Sequence, residues 1–166
     1  MNTDKQVDIH ALIRENKTLN KSNTPAELLV RATALLYTKA EKITNAFFLS
    51  FGITTAQYNV LALLAEEDNQ INQLTISKRM LVSQGNITRI LDKLVTAGLI
   101  KRTEDKQDRR HKCVSITSKG KTLHGKIKPA YERFLRRLPG SLPESVQQRT
   151  AYALIAWAHS LDDFSL

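Results

Sequence analysis

A chain of 166 residues, 42% hydrophobic and 25% charged, is long enough for one domain with extensions and apolar enough to bury a core. The opening MNTDKQVDIHALIRENK reads as too charged for a secretory signal, no apolar run approaches the roughly 18 residues of a membrane span, and Cys113 as the only cysteine leaves no internal disulfide and no cysteine metal cluster. The net charge of +9 is concentrated in the middle: residues 72–126 carry 13 Lys/Arg against 4 Asp/Glu, while the flanking segments are close to neutral.

Such a basic block points to a polyanion-binding surface. It lacks an amphipathic helix with exposed Trp or Phe, which disfavours an anionic membrane as the polyanion. A bacterial-type cytoplasmic setting is the expectation.

Residues 1–23 are polar and read as a short helix or an arm. In TPAE, Thr24 is placed as an N-cap, Pro25 at the first helical position and Glu27 three residues after the cap, a complete capping box. The helix that follows carries apolar residues at helical spacing as far as Phe51-Gly52. ITTAQY repeats the pattern, with Thr54 and Gln57 as the box and Ile53 and Tyr58 as a hydrophobic staple. Asn72 can cap a short helix containing Ile76 and Met80, and Ser83 a fourth, QGNITRILDKLVTAG, stopped by Gly98.

LIKRT and KCVSIT, around a charged tip, form a predicted β-hairpin, with Val114 and Ile116 on one face and Cys113 and Ser115 on the other. Thr117 or Ser118 caps a long helix with a kink expected at Pro129. Ser141 and Glu144 suggest a third capping box before the last helix, which carries Tyr152, Ile155 and Trp157. The fold class is therefore mainly α with a small β-hairpin wing. The expected organisation is an arm (1–23), a dimerisation helix (24–51), a winged helix-turn-helix (52–118) and C-terminal dimerisation helices (119–166).

The order helix, short helix, tight turn, helix, hairpin within residues 54–117 is that of a winged helix-turn-helix. Its post-turn helix enters the DNA major groove while the hairpin reaches the neighbouring backbone or minor groove. At about 100° per residue, Ile87, Ile90, Leu91, Leu94 and Val95 share one side. Gly85, Arg89, Asp92, Lys93 and Thr96 fall on the other side, with Asn86 and Thr88 flanking it. Ser83 and Gln84 at the helix start, with Gly85, Asn86, Thr88, Arg89 and Lys93, are the candidate DNA contacts. Gln and Asn can pair with adenine and Arg with guanine, and Gly85 has no side chain to hold DNA away. In the tip TEDKQDRRHKCVSIT, Lys106, Arg109 and Arg110 are the candidate groove and phosphate contacts. Asp105 and Asp108 would orient the arginines and fix the turn.

The stretch from Gly52 to Leu123 resembles the MarR family of bacterial transcription regulators. The wing carries the resemblance, with Asp105, Asp108 and Arg110 in D-x-x-D-x-R spacing before a VSIT-x-x-G exit, together with the VS…TR…D-L…GLI pattern from Val82 to Ile100. Leu81 stands at the turn position where the family often has Gly. A left-handed Leu there would cost about 1 kcal/mol or more. The resemblance implies a homodimer on a pseudo-palindromic double-stranded operator, usually a repressor released by a small aromatic or amphipathic effector. Phe47, Phe51, Tyr58 and Tyr131 are the candidate effector contacts.

No phosphate loop, nucleophile elbow or zincin motif is present, so no catalytic residue, enzyme activity or cofactor is expected. His111 and Cys113 share a strand face but are too few for a metal site. Cys113 beside Lys112 and Arg110 keeps a redox-responsive regulator open as an alternative. A winged-helix module that binds protein and not DNA is a second alternative. It is opposed by the basic residues on both the recognition helix and the wing.

Overall fold

The computed structural model describes residues 24–67, 70–80, 84–104 and 112–162. The predicted arm, the turn with Leu81, the Ser83 cap and the wing tip lie outside the described residues. The chain forms two compact units, residues 1–60 and 61–166.

In the first unit, α1 (Pro25–Leu49) begins as the sequence indicates. The Glu27 amide donates to Thr24 Oγ1 at 3.2 Å and the Thr24 amide donates to Glu27 Oε2 at 2.9 Å. These two bonds satisfy amides that a helix start leaves without partners. At its other end Gly52 takes a φ of 77°. The amides of Gly52 and Ile53 then fold back onto the carbonyls of Leu49 and Phe48, a closure that needs a left-handed residue and therefore favours glycine. The next helix, α2 (Thr55–Ala65), opens on the second capping box, with Thr54 and Gln57 bonded reciprocally at 3.2 and 2.8 Å. Phe48, the buried residue of α1, stacks on Tyr58 with ring centroids 4.4 Å apart.

The second unit continues α2 and adds β1 (Ile71–Asn72), α3 (Gln73–Arg79), α4 (Gln84–Thr96), β2 (Ile100–Glu104), β3 (Lys112–Ile116), α5 (Ser118–Arg137) and α6 (Glu144–Ser160). The expected two-stranded hairpin is in fact part of a three-stranded antiparallel sheet in the order β1-β3-β2. The two-residue β1 is too short for alternation to reveal it. It pairs Ile71 with Val114 and Asn72 with Cys113. Asn72 then caps α3, its side-chain oxygen accepting from the Leu74 amide at 2.8 Å. Because β3 is the central strand, Cys113 and Val114 are both buried although they point to opposite faces. Leu61, Leu64, Ile76, Ile87, Leu91, Leu94 and Ile127 complete the core of this unit.

A second correction concerns α6. The predicted Ser141–Glu144 box does not form; the N-cap is Pro143, with no side-chain bond. A start after Ser141 would make Leu142 helical, and a residue preceding proline is pushed out of the helical region by the proline ring. The helix therefore begins one residue after Pro143. Helix α5 runs without interruption through Pro129. On it, partial burial, helped by the Lys128 charge and opposed by Glu66, holds His124 below its ordinary pKa.

Gly120, in the first turn of α5, is packed most tightly. A Cβ there would lie 2.1 Å from the Leu99 carbonyl oxygen and 2.7 Å from Ile116 Cγ1. Neither the Leu99 backbone nor the half-buried Ile116 side chain can yield that far cheaply. Gly120→Ala should cost about 3 kcal/mol or more in urea denaturation. A loss below about 1 kcal/mol would show that the α5 start is free to slide.

Candidate nucleic-acid interface

The recognition helix α4 is two-sided as its sequence indicates. Ile87, Leu91 and Leu94 are completely buried, while Gly85, Asn86, Thr88, Arg89, Asp92 and Lys93 are exposed. Val95, assigned to the apolar side, is instead 38% exposed. It lies about 70° from the centre of the Ile87–Leu91–Leu94 stripe at 100° per residue, so it sits on the edge of that face. Burial of one side chain per turn on this face leaves a continuous polar ridge on the other.

Two groups outside the helix grip this ridge. From α3, Gln73 Nε2 donates to the Thr88 hydroxyl at 2.9 Å. From β2, Arg102 reaches across to α4, pairing with the Asp92 carboxylate and donating from Nη2 to the Thr88 carbonyl at 3.3 Å. The Arg102 side chain is only 20% exposed, so its charge is largely removed from water and depends on Asp92 for compensation. Thr88 and Asp92 thus hold the helix in the fold as well as lining its outer face. Lys93 and Arg89 make no side-chain hydrogen bond or ion pair among the described residues. They are the cations that α4 presents outward.

Reading the sequence alone missed Gln73 and Arg102, yet a signal for Arg102 was present. Two residues after Ile100 on β2, it shares that residue's inward face, where an arginine requires a partner. Beside it, Thr103 donates to Gln70, joining β2 to the segment before β1.

Gly85 is informative for the opposite reason to Gly120. Its φ is not positive, and a Cβ built on it meets nothing within 4 Å. Neither packing nor backbone conformation requires glycine here, although glycine weakens a helix by up to about 1 kcal/mol relative to alanine.

Ser83 and the wing residues Asp105, Lys106, Asp108, Arg109 and Arg110 lie outside the described residues; Gln84 is the first residue of α4. The candidate effector residues divide between the units. In the first, Phe47 packs edge-on against Phe48 and tilted against Phe51, and Tyr58 is buried. In the second, half-buried Tyr131 stacks with Phe134 at 6.0 Å, and burial raises its phenol above the usual pKa. Cys113, the single cysteine of the sequence, is only 9% exposed in the central strand, whereas a reactive thiol needs access to solvent. Among the described residues no group of three or more His, Cys, Asp or Glu could hold a metal ion, and no helix is long and apolar enough to cross a membrane.

The family model described as MarR matches residues 53–112, a span that includes the recognition helix and β2 and ends at the first residue of β3. The HTH-type transcriptional regulator PapX of Escherichia coli is 36% identical over 116 residues, covering 69% of this chain and 71% of PapX. Among solved structures, a cysteine-to-serine mutant of E. coli MarR complexed with operator DNA is 25% identical at a TM-score of 0.71, covering 77% of this chain and 91% of that one. AbsC, a MarR family transcriptional regulator from Streptomyces coelicolor, shares the fold at a TM-score of 0.76 and 20% identity, with 87% of this chain and all of AbsC covered. With a winged helix-turn-helix, a polar recognition ridge and these relatives in agreement, the chain belongs to the MarR family and is a DNA-binding transcription regulator.

Proposed function

We propose that the protein is a homodimer that reads a pseudo-palindromic operator and acts as a repressor relieved by a small aromatic or amphipathic molecule. The observation that carries the dimer is the apolar surface left on two helices. Helix α6 buries none of its residues, and Tyr152, Ile155 and Leu161 are more than half exposed. On α1, Val30, Leu36, Tyr37 and Ile43 are exposed to the same degree. Apolar exposure on this scale marks an association surface, and a closed two-fold contact is the commonest way to cover it. Helix α5 is a poorer candidate for the centre of that contact. Its outer surface carries Lys121, Lys126, Lys128, Arg133, Arg136 and Arg137, all exposed, and two copies would repel.

In this reading each recognition helix enters a major groove. Arg89 and Asn86 discriminate bases there, and Lys93 and Gln84 contact nearby atoms of the duplex. Lys106, Arg109 and Arg110 of the wing contact phosphates or the minor groove, held by Asp105 and Asp108. Operator DNA in the E. coli MarR complex supports the first part. The effector residues proposed are Phe47, Phe51, Tyr58 and Tyr131, and the proposed setting is the cytoplasm.

Three measurements test this function. Sedimentation should show a dimer at micromolar concentration, and Ile155→Glu should give a monomer that keeps its far-UV helicity; a wild-type monomer would remove the dimer. Arg89→Ala should cost about 1–3 kcal/mol on the preferred operator and less on random DNA. Equal losses on both would reduce Arg89 to a phosphate contact. Gly85→Ala should shift stability and binding in opposite directions. The fold gains up to about 1 kcal/mol, while operator affinity falls roughly tenfold because the added methyl meets the DNA. A tighter complex would show that the DNA does not approach Gly85.

A further inference from the structure

The end of the recognition helix is fastened to the start of α5 by an unusually complete set of bonds. Past Thr96 the chain turns back through Gly98, whose φ is 68°. The amides of Gly98 and Leu99 close onto the carbonyls of Val95 and Leu94 at 2.8 and 2.9 Å. That leaves the carbonyls of Ala97, Gly98 and Leu99 pointing outward, and each is met from the α5 side. Lys119 Nζ donates to Ala97 O at 2.8 Å. The Thr117 hydroxyl lies 2.8 Å from Gly98 O and 3.0 Å from Leu99 O, with its proton shared between them. The Thr117 amide donates to Leu99 O at 3.1 Å.

The same hydroxyl accepts from the Gly120 amide at 3.1 Å as the N-cap of α5. One side chain therefore terminates one helix and initiates the other. The Lys119 stem lies over Gly98, its Cδ 4.0 Å from where a Cβ would be. The electrostatics agree, since the negative end of α4 meets both an ammonium group and the positive end of α5.

A helix start requires only its cap. Capping explains the Thr117–Gly120 bond, but it does not explain why Lys119 and the Thr117 hydroxyl also hold carbonyls beyond α4. The geometry points to a further role: Thr117 and Lys119 are positioning residues that lock the recognition helix to α5 as one rigid body. They thereby fix the distance and rotation between the two recognition helices of the dimer, and with them the half-site spacing the operator must have. This inference rests on the dimeric reading above.

The test uses the full chain with Thr117→Val, Lys119→Met and the conservative Thr117→Ser. Each is titrated with a selected operator and with operators whose half-sites are one base pair closer or farther apart. One base pair rotates a half-site by about 35°, so the wild type should discriminate strongly. Thr117→Val and Lys119→Met should each reduce that discrimination by roughly fivefold or more while binding random DNA as before. Thr117→Ser, which keeps the hydroxyl, should match the wild type.

A second readout needs no dimer. Spin labels at Lys93→Cys and Lys128→Cys, in a Cys113→Ser background, report the α4–α5 distance within one protomer; mixing labelled with excess unlabelled chain isolates it. The distribution should be narrow in the wild type and broader in Lys119→Met and Thr117→Val. Narrow distributions in both variants would overturn the proposal, whether binding is unchanged or is lost equally on every DNA. If Thr117→Val does not fold, Lys119→Met alone decides. If the wild type shows no spacing preference, the dimeric operator reading fails, and the label distances still decide whether the joint is rigid.

Discussion

The approach of α5 to the Leu99 carbonyl is the constraint from which the rest of the DNA-binding lobe follows. It can be so close only because residue 120 is glycine. The approach brings Thr117 within bonding reach of the carbonyls that follow the recognition helix. It also fixes where β3 must end, and Ile116, the last residue of β3, pairs with Ile100 at the start of β2. Through that register Arg102 comes to face the middle of α4, where Asp92 and the Thr88 carbonyl hold it. The recognition helix is thus held at its middle by a strand and a neighbouring helix, and at its end by the helix that leaves the wing.

The alternatives weighed from the sequence separate on physical grounds. A protein-docking winged helix would not need the outward Arg89 and Lys93, and the relatives found here are transcription regulators. A thiol sensor based on Cys113 would need an accessible sulfur, but this one sits in the central strand of the sheet, flanked by Thr103 and Asn72. The basic centre of the chain is therefore best understood through DNA. Much of the charge nevertheless continues along α5, well past the recognition helix.

What the sequence made legible was mostly local. Capping boxes at Thr24 and Thr54, the Asn72 cap and the stop at Gly98 each depend on residues within about six positions, and all four appear as expected. The α4 stripe was legible because a 3.6-residue period over 13 residues is a strong signal. The Ser141 box looked equally good, but it failed because Pro143 restricts the residue before it, a rule of backbone sterics that the spacing motif ignores. What could not be read was long-range: the pairing of β1 with β3, the reach of Gln73 to Thr88 and that of Arg102 to Asp92. Those contacts join residues 10 to 43 positions apart, and only the folded backbone brings them together.

The division of labour along α4 has a consequence for how such a protein changes its target. Thr88 and Asp92 are tied into the lobe, so replacing either one disturbs the helix mounting together with any base it touches. Arg89 and Lys93 carry no such obligation among the described residues. A lineage acquiring a new operator, or a designer seeking one, therefore has a narrow alphabet of inexpensive changes interleaved with positions where every change is felt throughout the lobe. Divergence of binding preference should accumulate at the untied positions first, while the tied ones change only together with Gln73 or Arg102.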